Sequence, residues 1–317
     1  MLGKTTAVGV ITLLVAASGT RADHRALILS IDGCRPDALA IADTPNVDGL
    51  AAAGSASFDA RNSIVAGSSG PNYSSMFTGV TVAKHGVTSN SSDSGGFLGN
   101  HFDVWPHYFK RLKEYDPSLY LASYVGWGPI NPGTWTDKYA DVAASLGDTG
   151  NTAAIVDLLT NDDPDLVFLQ LSEVDSAGHG GGFSPTNPAY VSAIEQADAR
   201  YGQILAALFA RPGYLDGSEE WLILTTTDHG GKDTNHTLPD GGWEVYTTFY
   251  IVTGPTVPVG ADLGTPYIYD VPVTAMDHLG LSAGGMGLDG QVVIPEPATL
   301  SILAVAAGLA VLRRRRP

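Results

Sequence analysis

Five short apolar runs, residues 26–31, 119–125, 166–171, 222–227 and 247–252, recur along the chain with helix-patterned stretches between them, at 47–53, 72–77, 105–115, 152–159 and 188–210. A strand that is apolar on both faces needs cover from both sides, so this alternation predicts an α/β fold: a mostly parallel central sheet with helices on both faces. The ends of the runs constrain the chain further. The first stops at Asp32-Gly33, the third leads into Glu173, Asp175 and His179, and the fourth stops at Asp228-His229, with His236 seven residues on. Ligands of open α/β sheets bind in the crevice outside the carboxyl ends of the strands. Three strands thus deliver carboxylates and imidazoles to one edge.

Carboxylates gathered without counter-charge would repel one another and lose hydration, which makes a cation the economical partner. Asp175 and His179 stand four apart, so a helical turn or tight loop lets both face one point. Oxygen donors mixed with imidazole nitrogen, and no thiolate, suit Zn²⁺ or a similar transition ion better than Ca²⁺ or Mg²⁺. Taken singly, each element has a plain structural reading: Asp-Gly is a turn, and Asp228-His229 a helix cap followed by a surface histidine. Joint placement after strands favours a metal site.

The segment Ser68-Ser69-Gly70-Pro71-Asn72-Tyr73 adds a hydroxyl. Pro71 suits the first position of a helix over 72–77, and Ser69 just before it would meet the helix dipole and free backbone N–H groups, which favour a bound phosphate. Serine is a poor nucleophile at neutral pH, and metal coordination is one way to activate it. The competing reading makes Ser68 or Ser69 a helix N-cap.

Both ends read as processing signals. Lys4, the apolar stretch 7–17 and Thr20-Arg21-Ala22 resemble a secretory signal peptide over residues 1–22. Pro295-Glu296-Pro297, the uncharged stretch 298–312 and Arg313 to Arg316 resemble the bacterial PEP-CTERM sorting signal over 295–317. Fifteen residues at about 1.5 Å each barely span a bilayer core, which suits transient membrane association better than a permanent anchor. The expected product is exported by the sorting machinery to the cell surface or extracellular matrix, membrane-anchored before its tail is processed. Residues 23–294 remain as one catalytic domain by length. They hold 11 Lys and Arg against 32 Asp and Glu. Such a balance offers no basic footprint for stable nucleic-acid binding. The single cysteine, Cys34, excludes an intrachain disulfide and reads as a small buried filler rather than a ligand.

In order, Asp32, Ser69-Gly70-Pro71-Asn72, Thr78-Gly79, Lys84-His85-Gly86-Val87, Asn90, Asp175-x3-His179 and Asp228-His229-Gly230 resemble the alkaline phosphatase superfamily, most of all its type I phosphodiesterase/nucleotide pyrophosphatase branch. The resemblance implies an alkaline-phosphatase-like three-layer sandwich and two divalent metal ions. Asp32, Ser69, Asp228 and His229 would hold one ion; Asp175, His179 and a third histidine would hold the other. His236 is the expected third, with His278 as the fallback. The resemblance casts Ser69 as the covalent nucleophile and Asn90 as the donor to a non-bridging phosphate oxygen. A monoester dianion is best gripped by a bidentate arginine, and no arginine lies between Arg61 and Arg111, so phosphodiester cleavage is expected over phosphomonoester cleavage.

Relatives that cleave nucleotides carry an aromatic directly after the nucleophile, where this chain has Gly70. A nucleotide substrate would then need another stacking partner, with Tyr73, Trp105 and Trp127 as options. Ser69-Gly70-Pro71-Asn72-Tyr73 lacks the arginine of the sulfatase maturation motif, and a chain this short leaves no room for the inserted domain of the mutase branch. A phosphomonoesterase, or a surface-matrix protein that binds without turnover, are the alternatives. The sequons at Asn72, Asn90 and Asn235 fall at the expected site, where a glycan would obstruct it.

Overall fold

The computed structural model describes residues 23–63, 67–237 and 241–294. The expected signal and sorting segments, 1–22 and 295–317, lie outside the described residues. Among the described residues nine strands run in chain order: β1 (Asp23–Ile31), β2 (Ser55–Arg61), β3 (Ser92–Asp93), β4 (Gly96–Phe97), β5 (Leu121–Val125), β6 (Val142–Ala144), β7 (Leu166–Leu171), β8 (Glu219–Thr226) and β9 (Thr247–Thr253). Seven form one sheet in the order β2-β9-β8-β1-β7-β5-β6. Strands β8, β1, β7, β5 and β6 are mutually parallel, while β9 runs antiparallel to β8 and to β2. The mostly parallel sheet expected from the alternation is present.

Alternate residues of β1 leave on opposite sides of this sheet. Leu27, Leu29 and Ile31 enter one apolar cluster with residues of the helices Pro45–Ala53, Gly147–Asn161 and Pro188–Phe209. Ala26 and Ile28 enter another with residues of the helices Ser69–Thr78, Tyr108–Tyr115 and Val271–His278. Helices on both faces complete three layers. Burial of each large apolar side chain contributes roughly 1.5–3 kcal/mol, which is why β1 and β7 read as continuous apolar runs.

Several boundaries move for local reasons. The helix expected over 105–115 begins at Tyr108; residues before Pro106 are pushed out of the helical region, and the His107 ring accepts the Lys110 N–H as N-cap. The helix expected over 72–77 begins at Ser69, so Pro71 is its third residue rather than its first. That position costs no hydrogen bond, because the first four N–H groups of a helix lack intrahelical partners. The Ser/Gly-rich stretch that follows Asn90 contains the hairpin β3–β4. Both edge strands escape the apolar pattern: β2 is SASFDAR, with a register shift between Ser57 and Ala60, and β6 is only three residues long. Edge strands are held by one neighbour and need no continuous apolar run. Among the described residues, no helix is long and apolar enough to cross a membrane.

Candidate active site

Asp32 follows β1 directly, and its N–H continues the ladder by donating to the Leu171 carbonyl, 2.9 Å away. The turn after it needs glycine twice over. Gly33 has φ +69°, and a Cβ there would lie 2.8 Å from Asp175 Oδ1 and 3.0 Å from Asp175 Cα. The Asp-Gly turn is therefore also the seat on which Asp175 rests.

Asp175 and His179 sit one turn apart on the helix Glu173–Gly181, which follows β7. Ser172, its N-cap, makes no side-chain capping bond. The cap comes from Asp148 instead, which accepts from Ser172 N at 2.9 Å and Glu173 N at 2.9 Å. After β8, Asp228 and His229 are wholly buried, and Asp228 Oδ1 accepts the Gly33 N–H. His236 comes from the following loop, and its Nδ1 donates to the Gly67 carbonyl at 2.5 Å, joining that loop to the segment before Ser69.

Ser69 is the first residue of its helix; Ser68, the N-cap, makes no capping bond from its side chain. Ser69 Oγ lies 3.2 Å from His229 Nε2. Asn90 reaches this helix from outside the sheet: its Oδ1 accepts the Gly70 N–H at 2.7 Å, which leaves its NH₂ end free to donate. A Cβ on Gly70 would stand 2.9 Å from the Ser89 carbonyl and 3.0 Å from Asn90 Oδ1. Where the resemblance anticipates an aromatic, this chain has no room for one with Asn90 so placed.

All seven residues singled out as ligands converge. His229 Nε2 lies 3.4 Å from Asp32 Oδ1 and 3.3 Å from Asp228 Oδ2. His236 Nε2 lies 3.5 Å from Asp175 Oδ1, and His179 Nε2 lies 3.4 Å from Asp175 Oδ2. Donor atoms of Asp32, Asp228 and His229 fall within 4.8 Å of one another, as do those of Asp175, His229 and His236. His229 thus borders both groups, and its ring stacks on His236 with centroids 3.9 Å apart. His278 is not among them. It lies at the amino-terminal ends of β1 and β8, away from the site, where its Nε2 meets the Glu220 carbonyl and its ring stacks on His24.

The fit to cations rests on orphaned atoms. Asp32 Oδ1, Asp175 Oδ1 and Asp228 Oδ2 are buried and have no hydrogen-bond partner. Nδ1 of His179, His229 and His236 each donates to a backbone carbonyl, of Thr234, Gly230 and Gly67 respectively. That arrangement fixes the tautomer and aims each Nε2 lone pair inward, as metal-bound histidines require. Burial first, and then neighbouring carboxylates, push Asp32 and Asp228 well above the ordinary carboxylate range; burial pushes Asp175 up to about 6. Burial also drives His229 well below the ordinary imidazole value and His236 to about 4. Without a cation, burial makes these carboxylates hold a proton more tightly and these rings hold one less tightly, and bound cations would oppose the shift of the carboxylates.

Asp32, Ser69, Asn90, Trp127, Asp175, His179 and His236 line a cavity of about 250 Å³ whose wall, among the described residues, has no Lys or Arg. Of the aromatics named as stacking partners, only Trp127 lines it, backed by Phe97 at 6.0 Å between centroids. Tyr73 is fully buried with its hydroxyl on Ser30, and Trp105 packs under Lys84. Asn72 is likewise fully buried and out of reach of a glycan. A larger cleft of about 870 Å³, between the helices Pro45–Ala53 and Pro188–Phe209 and the start of β8, is mostly apolar and carries neither metal-ligand cluster. The smaller cavity is the one lined by candidate metal ligands. Sequence reasoning passed over Gln170, whose Nε2 donates to Asp32 Oδ2 at 2.7 Å; its only signal was one polar residue in an apolar strand.

A family model described as type I phosphodiesterase / nucleotide pyrophosphatase matches residues 26–246, which spans every residue of this cluster. The chain belongs to that family. Membership supports a phosphoester hydrolase. The type I phosphodiesterase / nucleotide pyrophosphatase fold here is shared with murine ectonucleotide pyrophosphatase / phosphodiesterase 5, with TM-score 0.63, 15% identity, and coverage of 86% of this chain and 97% of that one. A protein from Bacteroides thetaiotaomicron assigned as a sulfatase also shares it, with TM-score 0.69, 14% identity, and coverage of 86% and 74%. A 2,3-bisphosphoglycerate-independent phosphoglycerate mutase from Haloquadratum walsbyi is 27% identical over 93 residues, which are 29% of this chain and 16% of that protein.

Proposed function

We propose that this family member is a metal-dependent phosphodiesterase acting through a phosphoseryl intermediate on Ser69. The observation that carries the reading is the cluster of three buried, unpartnered carboxylate oxygens and three inward Nε2 atoms, with the Ser69 hydroxyl 3.2 Å from one of those nitrogens, that of His229. Asp32, Ser69, Asp228 and His229 would hold one cation, and Asp175, His179 and His236 the other. The mixed oxygen and nitrogen donors suit zinc. When bound, two such ions supply positive charge that lowers the pKa of a hydroxyl and offsets the charge of the phosphoryl oxygens.

The chain's own groups then do the rest. Ser69 Oγ, at the start of its helix, forms a bond to phosphorus as the P–O bond to the leaving group breaks, and the proton that Ser69 gives up ends on the departing oxygen, which leaves as the alcohol. Water next attacks the same phosphorus and gives one proton to Ser69 Oγ as that oxygen leaves, and a monoester departs. The NH₂ of Asn90, held in place through Gly70 N–H, donates to a non-bridging oxygen. A wall without Lys or Arg supports a diester with one negative charge over a monoester with two. Trp127 offers a flat face for the group next to phosphorus.

The apolar stretch 7–17 and the tail 295–317 support export to the cell surface or extracellular matrix. Paired assays with bis(p-nitrophenyl) phosphate, p-nitrophenyl phosphate and p-nitrophenyl sulfate in the presence of zinc test the reading. Turnover of the diester above the other two is expected. Faster monoester or sulfate hydrolysis, or zinc bound with no turnover of any ester, would overturn it.

A further inference from the structure

Strand β7 reads LVFLQL and is buried at every position. Leu166 and Phe168 join the cluster beneath the helix Ser69–Thr78, and Gln170 continues the same side of the strand two residues on. An amide buried there needs partners at both ends. It has them: Nε2 donates to Asp32 Oδ2 at 2.7 Å, and Oε1 accepts the Trp127 N–H at 2.8 Å. The Gln170 carbonyl also accepts the Gly126 N–H at 2.9 Å. Because β7 lies between β1 and β5, this one side chain spans the ends of both neighbouring strands.

We infer that Gln170 is a positioning residue: it selects which oxygen of Asp32 faces the cation position and ties that carboxylate to the cavity wall at Trp127. The inference rests on the metal-site reading above. The amide cannot be reversed, since a flip would set Oε1 against a carboxylate oxygen and NH₂ against an N–H. With Oδ2 occupied, Oδ1 is the oxygen left unpartnered, 3.4 Å from His229 Nε2. Packing alone does not call for glutamine here, because leucine or methionine would fill an apolar strand position of this size.

The test uses the wild-type protein with Gln170→Leu and Gln170→Met. Zinc affinity is measured by competition with a chelating indicator, the metal-free melting temperature by calorimetry, and kcat and KM on bis(p-nitrophenyl) phosphate at saturating zinc. Loss of a side chain that orients a metal ligand typically weakens metal binding or activity by about 10–100-fold. Both variants are expected to fold without metal, to bind zinc at one site weaker by that factor, and to lose kcat by about tenfold with a smaller change in KM. Wild-type zinc affinity in either folded variant would overturn the inference. So would failure of both to fold, which would assign Gln170 to folding. If the wild-type protein bound no zinc, the site reading would fall with it; zinc binding without ester turnover would remove only the proposed function.

Discussion

His179 and His236 meet nitrogen to nitrogen, with their Nε2 atoms 3.0 Å apart. Each Nδ1 faces a backbone carbonyl, which can only accept, so in the neutral rings the protons sit on Nδ1 and the two Nε2 lone pairs converge. Two converging lone pairs beside the unpartnered Asp175 Oδ1 are an arrangement that a cation stabilises.

Metal removal should therefore lower stability. An ion present at 100 times its Kd stabilises the folded state by about 2.7 kcal/mol, and about 1 kcal/mol shifts the melting temperature of a chain this size by roughly 2–4 °C. Scanning calorimetry before and after EDTA treatment should show a fall of at least about 5 °C that zinc restores. An unchanged transition would contradict the metal site.

Replacing Ser69 removes the attacking oxygen and leaves the imidazoles and carboxylates in place. Ser69→Ala should lower kcat on a diester by about a thousandfold or more, with stability within about 1 kcal/mol of wild type. Steady-state assays at saturating zinc check the first and denaturant titration the second. Retained turnover would exclude the phosphoserine route.

Gly70 is tested through its neighbours. In Gly70→Ala the new methyl would meet the Ser89 carbonyl at 2.9 Å and Asn90 Oδ1 at 3.0 Å, so the Asn90 segment must shift. The expected result is a loss of about 10–100-fold in kcat, since misplacement of a group by about 1 Å can cost a hundredfold, with zinc affinity unchanged. Equal kcat would mean that Asn90 does not touch the substrate.

Asp148 caps a helix that it does not belong to. Asp148→Ala leaves Ser172 N and Glu173 N without that acceptor, at a cost of about 1–3 kcal/mol. Because the capped helix carries Asp175 and His179, zinc affinity should fall together with stability. Chemical denaturation and chelator competition measure the two effects.

His85 predicts a pH effect away from the site. Its Nδ1 accepts the Val87 N–H and its Nε2 meets Ser75 Oγ, and burial, then His101, lowers its pKa to about 4 from an ordinary 6.5. Between those values the unfolded chain binds a proton that the folded chain refuses, so this contribution is complete above about pH 6.5 and is lost as pH falls toward 4. His85→Gln should show a shallower decline in melting temperature over that window than wild type. Parallel declines would contradict a neutral His85.

Much of the site was legible because its residues lie next to patterns that are local in the chain. Asp32 ends an apolar run, Asp228 and His229 end another, and Asp175 and His179 share a helical spacing. Edge strands β2 and β6 were not legible, since they lack a buried apolar face. The choice of His236 over His278 was open in the sequence, and the two lie at opposite ends of the central strands, His236 at the carboxyl ends and His278 at the amino ends.

By itself the sequence determined the alternation of strands and helices, the central parallel run and the chemical character of each strand end, because these follow from apolar periodicity and residue type over a few positions. Only the tertiary structure decided that Gln170 reaches Asp32 across 138 positions, that Asp148 caps the helix of Asp175, and that Asn90 lies against Gly70. The reason is physical. Those contacts depend on the order of strands in the sheet and on the packing of helices across it, and long-range packing leaves no periodic trace in the residues it brings together.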